Sequence, residues 1–199
     1  MAYTSPRRQE SAARTRQAIV DAATRLFLER GYAATTIADI ATAARVAPAT
    51  VYTSVGGKPK VLEAISQPPA DDPELARLIS EVEAADDPHE AIRRSAKATR
   101  YSAETNADVF AVIMLNAPFD PTVAAAAADM AANFRKGARR LVNHLRELGA
   151  LPRGTANDVD TVVYFLGHAS WHRMVTDLGW TYDRAQKWLA DRLAQALLG

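Results

Sequence analysis

An all-α fold follows from three features of the sequence. Apolar residues recur at three- and four-residue spacing through nearly the whole chain, prolines and glycines fall between those segments, and no strand-like alternation or hairpin dipeptide interrupts them. The predicted architecture is an N-terminal three-helix helix-turn-helix domain followed by a larger C-terminal helical domain. With 199 residues, 48% of them hydrophobic, the chain is long enough to bury both cores. Residues 1–57 are expected to form the first domain with a basic tail, 58–72 a linking helix and linker, and 73–199 the second domain.

The first helix, about residues 11–30, carries Ile19, Ala23, Leu26 and Phe27 on one stripe and stops at Gly31, a residue suited to the left-handed position past a helix end. Thr36 is placed to cap a short helix ending near residue 44, with Asp39 three residues on completing a capping-box-like pair. Ile37, Ile40 and Ala41 form its apolar stripe. A second short helix starts at Pro48, whose missing N–H costs little in a first turn, and keeps Val51 and Val55 on one side. Ala49, Thr50, Tyr52 and Thr53 then face outward. Isolated helices of fewer than roughly 12 residues are marginal in water, so all three helices must share one small core. Two short helices joined by a tight turn are a DNA-reading device: the major groove admits one helix while the other braces it against the backbone.

A linking helix is expected at 59–66, after which Pro68, Pro69 and Pro73 break the periodicity and mark the domain boundary. Further helices are predicted at about 73–85, 88–105, 107–117, 121–148, 157–178 and 182–198. Pro73, Pro88 and Pro121 sit in first turns, and Gly149 and Gly179 follow helix ends. The alanine run 124–128 suits helix, since alanine is the best helix former.

The 157–178 segment is apolar on two sides. Val159, Val162, Val163, Leu166, Ala169 and Ser170 populate one, and Tyr164, His168, Trp171 and Val175 the other. Such a helix needs two partners. Its own domain supplies one, and a symmetry mate is expected to supply the other, forming with Leu141, Val142, Leu145 and Leu148 an intermolecular four-helix bundle. A homodimer would present two reading helices about 34 Å apart to successive major grooves.

Charge is divided along the chain. Residues 1–60 hold 9 Lys or Arg against 4 Asp or Glu, whereas residues 61–199 hold 15 against 19. A basic first domain is the footprint of phosphate binding, and Arg7, Arg8, Arg14 and Arg16 extend it into a tail able to track the minor groove. Absence of cysteine excludes disulfides, thiol catalysis and cysteine-based zinc sites. No apolar run approaches the roughly 20 residues that span a bilayer, and residues 1–10 lack a signal-peptide core, so a cytoplasmic protein without membrane partners is expected. No Gly-rich phosphate loop, G-x-S-x-G or H-E-x-x-H is present, so no enzymatic activity and no cofactor are expected. Asp71-Asp72 and Asp86-Asp87 lie beside prolines, where turn chemistry explains them. His168 and His172 have metal-ligand spacing, but no glutamate follows His168, and no metal site is assigned.

The first third of the chain resembles the tetracycline-repressor (TetR) family of bacterial transcriptional regulators. The motifs that carry the resemblance are Gly31-Tyr32, then Thr35-Thr36-Ile37 with Ile40-Ala41, Ala44 and Val46, then Thr50-Val51-Tyr52 with Val55 and Lys58, and finally Val61-Leu62. They span about residues 12–64. The resemblance implies a dimeric repressor released from a palindromic operator when a small molecule enters the C-terminal ligand-binding and dimerisation domain. It assigns Thr36, Tyr52 and Lys58 to phosphates and Ile37, Pro48, Ala49, Thr50 and Thr53 to the base edges, with Arg45 in the turn beside them. Arg45 stands where the family usually has a turn glycine, so either that turn avoids positive φ or the residue carries strain. Tyr101, Phe110, Met114, Phe134, Tyr164, His168, Trp171 and His172 are the candidate pocket residues for a small hydrophobic or aromatic effector. The alternative is a helical DNA-binding or protein-interaction module that has no small-molecule effector.

Overall fold

A computed structural model describes residues 6–66, 72–151 and 155–199, with the side chains of residues 6–9 left out. The side chains of Arg7 and Arg8, the residues 67–71 of the expected linker and Asp71 of the acidic pair therefore lie outside the described residues. Eleven α-helices and no strands occur among the described residues. They group into two compact units, and the division is not linear in sequence.

The first unit spans residues 1–68 together with 108–129. It contains α1 (Pro6–Arg30), α2 (Ile37–Ala43), α3 (Pro48–Ser54) and α4 (Lys58–Ser66), then α7 (Ala107–Asn116) and the start of α8 (Pro121–Glu147). Helix α1 packs on α2, α3 and α4. Ile19, Ala23 and Phe27 of α1, Ile40 of α2, Val51 of α3, and Val61 and Leu62 of α4 are all at most 1% exposed. Full burial of one such aliphatic side chain is worth about 1.5 to 3 kcal/mol, enough to hold helices of seven residues that would melt alone.

The second unit spans 69–107 and 130–199. Its elements are α5 (Pro73–Glu83), α6 (Pro88–Thr105), the remainder of α8, α9 (Ala156–Leu166), α10 (His168–His172), a π-helical turn at Arg173–Asp177, and α11 (Tyr182–Leu198). Ile92, Leu145, Leu166, Trp171, Leu189 and Leu193 are the largest members of its core. Asp72 and Asp87 accept the amides of Leu75 and Glu90 (2.9 and 2.8 Å) as N-caps, each followed by proline at the first helical position. Here the acidic residues beside prolines serve helix starts.

The expectation of a single helix at 157–178 is corrected by the structure. The chain breaks at Gly167, which adopts φ −67 and ψ 156, and it resumes as α10 with Gly167 as N-cap before passing into the π turn. The break depends on the missing side chain, because a Cβ at Gly167 would lie 2.4 Å from the Val163 carbonyl oxygen. Tyr164, His168, Trp171 and Val175 consequently do not share one face: Tyr164 is 73% exposed, whereas Trp171 is 2% exposed and packs in its own unit's core near the Tyr182 ring. Leu141, Val142 and Leu145, expected at an intermolecular bundle, are also buried inside this unit.

Candidate nucleic-acid interface and effector cavity

Helix α3 is held by its inner face and open on its outer one. Val51 is fully buried, while Tyr52 is 58% exposed and Pro48, Ala49 and Thr53 are exposed. Thr50 is half-buried, and the Thr53 hydroxyl donates to the carbonyls of Ala49 and Thr50 (3.1 and 3.2 Å), leaving its oxygen lone pairs outward. Arg16 donates from Nη1 to the Ser54 carbonyl (3.0 Å), placing a cation at the C-terminal end of α3, where the helix dipole is negative. Arg16 thus braces α3, a role different from the minor-groove tail expected of it.

The turn before α3 resolves the question of Arg45. Its φ is 58, the left-handed region, and it occupies the position where the chain leaves α2. Arg45 N–H donates to Thr42 O (3.1 Å) and Val46 N–H to Ala41 O (2.9 Å), a complete Schellman motif. The same pair of bonds forms at the end of α8, from Gly149 to Arg146 O and from Ala150 to Leu145 O, with glycine in the left-handed position at φ 77. Arg45 therefore carries strain of about 1 to 2 kcal/mol that Gly149 avoids, and its side chain is exposed beside α3.

Two residues assigned to phosphates are engaged within the protein. Thr36 gives its N–H and its hydroxyl to Asp39 Oδ2 (2.9 and 2.6 Å) and accepts the Asp39 amide in return (3.1 Å), which draws the Asp39 carboxyl below its ordinary pKa. The capping box forms, but it uses both donors that a phosphate would need. Lys58 turns its ammonium onto the carbonyls of Tyr32, Ala33 and Thr35 (2.9, 3.3 and 3.1 Å) and lies over the Tyr32 ring. All three of its N–H bonds close the loop between α1 and α2, so in this structure Lys58 is a clasp on that loop. Ile37 is half-buried at the first position of α2.

Asn116 of α7 was not legible as functional. Its Oδ1 accepts the Tyr32 amide at 2.7 Å while its Nδ2 donates to Val112 O, fastening α7 to the end of α1 across 84 residues of sequence. No local pattern signals so distant a pair. Burial, and then Asp120, push the Tyr32 phenol upward, against a lowering hydroxyl bond from Thr122.

The second unit contains a mostly apolar cavity of about 220 Å³ between α5, α6, α8 and α9. Of the candidate pocket residues, Phe134 lines it. The remaining pocket candidates lie elsewhere: Tyr164 faces outward, Trp171 is in the core, and Tyr101 donates its hydroxyl to Asp72 (3.2 Å). Phe110 and Met114 belong to α7 in the other unit, and Met114 is 48% exposed. His168 is not in the lining but stands behind it, its Nε2 3.3 Å from the Oγ of Ser102, a lining residue, and its ring edge-on to Phe134. His172 lies 3.9 Å from Asp177. Burial lowers the His168 pKa. Aromatic periodicity pointed to the wrong helix faces; small residues of α6, such as Ser95, Ala98 and Thr99, make the space instead.

The fold is a helix-turn-helix unit with α3 exposed, together with a helical second unit. Residues 19–65 match the model of bacterial regulatory proteins of the tetR family. No curated protein matches the sequence. Among solved structures, NalD, the secondary repressor of the MexAB-OprM multidrug efflux pump in Pseudomonas aeruginosa, superposes with TM-score 0.72 at 19% identity, covering 95% of this chain and 98% of NalD. A SmeT–triclosan complex gives TM-score 0.71 at 19% identity over 93% and 92% of the two chains. The TetR-family regulator PfmR from Thermus thermophilus gives 0.61 at 24% identity over 99% and 98%. At these identities the likeness is one of fold. Among the described residues no helix is long and apolar enough to cross a membrane.

Proposed function

We propose that this chain is a dimeric repressor that grips a palindromic duplex-DNA operator through α3 and leaves it when a small apolar or aromatic molecule occupies the second unit. The observation that carries the reading is the outward face of α3, with Tyr52 and Thr53 open on a helix whose opposite side is locked by Val51. Pro48, Ala49, Thr50 and Thr53 serve the base edges, with apolar contact at Ala49 suited to a thymine methyl, and Tyr52 and Arg45 serve the backbone. Thr36 and Lys58 act indirectly, by fixing α2 and the loop that precedes it. Assembly uses the apolar residues that the second unit leaves exposed, Tyr164, Leu178 and Trp188.

The effector reading is supported by the cavity and by the fold shared with a protein solved with triclosan and with an efflux-pump repressor. An effector that prefers the DNA-incompetent form tenfold lowers operator affinity by at most tenfold. Selection of bound fragments from random duplex DNA tests the proposal. The expected product is a two-fold symmetric site with half-sites about one helical turn apart or a multiple of it, bound with steep salt dependence. Tyr52→Ala should weaken binding to that site roughly 10-fold, about 1.4 kcal/mol, with unchanged sedimentation mass. Failure to enrich any sequence, or unaltered affinity of the variant, refutes the assignment of α3. Release of the selected site in a compound screen separates an effector-controlled repressor from a DNA-binding module without one.

A further inference from the structure

Ser95 is 8% exposed, lies on α6 and lines the cavity of the second unit. Helical hydroxyls elsewhere in the chain fold back onto carbonyls: Thr24 to Val20, Thr42 to Ala38, Ser66 to Leu62, and Thr99, in the same cavity wall, to Ala96. The Ser95 hydroxyl makes no hydrogen bond among the described residues. Its oxygen is not sealed in the core either, unlike Trp171 Nε1, the buried atom left without a partner. A hydroxyl that faces the cavity without a protein partner is open to a polar group of whatever fills the cavity.

Of the other polar groups of the wall, Asn133 is exposed and accepts from Lys136 through Oδ1 (3.1 Å), and Thr99, Ser102 and His144 are engaged inside the protein. Ser102 faces His168, and His144 Nε2 donates to Ala85 O at 2.8 Å. The charged groups of the lining, Glu83 and Arg140, are both exposed and of opposite sign. The interior accordingly offers apolar surface and, in Ser95, one hydroxyl without a protein partner, with no buried charge to meet an ionised ligand, whose desolvation would go uncompensated.

Resting on the reading of this unit as the effector domain, we infer that the cavity takes an uncharged, largely apolar ligand carrying a single hydroxyl or carbonyl group, and that Ser95 is the residue that recognises that group. A hydroxyl both donates and accepts, so either function is served.

Three probes with one ring system separate the terms: naphthalene, 2-naphthol and 2-naphthoate, measured by equilibrium dialysis against the full chain. The expected order places 2-naphthol about fivefold tighter than naphthalene, the worth of one net hydrogen bond, and 2-naphthoate at least roughly tenfold weaker than 2-naphthol, since its charge is left unpaired. In Ser95→Ala the naphthalene affinity stays and 2-naphthol falls to within about twofold of it. The variant should melt at the same temperature or higher, because an unpartnered hydroxyl is removed and alanine favours helix. Equal binding of naphthalene and 2-naphthol to the natural chain, tightest binding of 2-naphthoate, an unchanged 2-naphthol preference in Ser95→Ala, or a lower melting temperature of that variant each overturns the role of Ser95 while leaving the effector domain standing. Absence of saturable binding by all three probes removes the effector cavity itself.

Discussion

Replacing Arg45 by glycine separates the stability of the first unit from the DNA affinity proposed for it. The residue holds φ 58 in a motif whose two closing hydrogen bonds, 3.1 and 2.9 Å, are both made, so the conformation is imposed by the turn and not by the side chain. Release of left-handed strain is worth about 1 to 2 kcal/mol, from which the extra unfolded-state freedom of glycine subtracts about 0.5 to 1. Arg45→Gly should thus stabilise the first unit by roughly 0.5 to 1 kcal/mol. Arg45→Ala keeps the strain and should show no such gain. Both variants lose a cation beside α3, so under the proposed function both should weaken operator binding and flatten the plot of log affinity against log salt by about one unit for each phosphate no longer neutralised. Urea denaturation followed by circular dichroism measures the first effect and a salt series of binding isotherms the second. A glycine variant no more stable than the alanine variant would refute the strain argument. An unchanged salt slope would refute a phosphate role for Arg45.

Lys58→Met should destabilise the first unit by about 2 kcal/mol in chemical denaturation, because three loop carbonyls lose a charged donor; a change within about 0.5 kcal/mol is what an ordinary surface lysine would give. Gly167→Ala should cost the second unit about 1 to 3 kcal/mol through collision with the Val163 carbonyl, and an unaltered melting curve would show that the break between α9 and α10 does not need glycine. The folded chain keeps His168 neutral by burial, so its pKa falls below the unfolded value of 6.5. Stability from this group is complete above that pH and is lost as pH falls through it, by at most about 1.4 kcal/mol per pH unit for one proton. His168→Asn should remove that part of the slope in denaturation curves taken from pH 8 to 5, and a slope equal to that of the natural chain would assign the effect to other groups.

Most of the helices were legible because their start signals act locally. Thr36 with Asp39, Pro48, Pro73, Pro88 and Gly149 each satisfy or spare backbone groups within one turn, so their consequences can be read from neighbours in sequence. The helix-turn-helix was legible for the same reason, since Ile40, Ala41 and Val51 lie close enough in sequence to declare one small core. The break at Gly167 was missed because periodicity continues across it in the sequence; what ends the helix is the space a Cβ would need against Val163.

The sequence alone determined the helical class, the caps, the short helix α3 and the outward position of Tyr52, all set by hydrogen bonds and apolar faces spanning a few residues. Only the tertiary structure decided what the polar side chains do. It set Lys58 and Arg16 on carbonyls 23 to 38 residues away, set Asn116 on Tyr32, and left Ser95 facing the cavity. A long flexible side chain has many partners within reach, and which one it takes depends on which buried donors and acceptors the packing of other helices leaves unpaired.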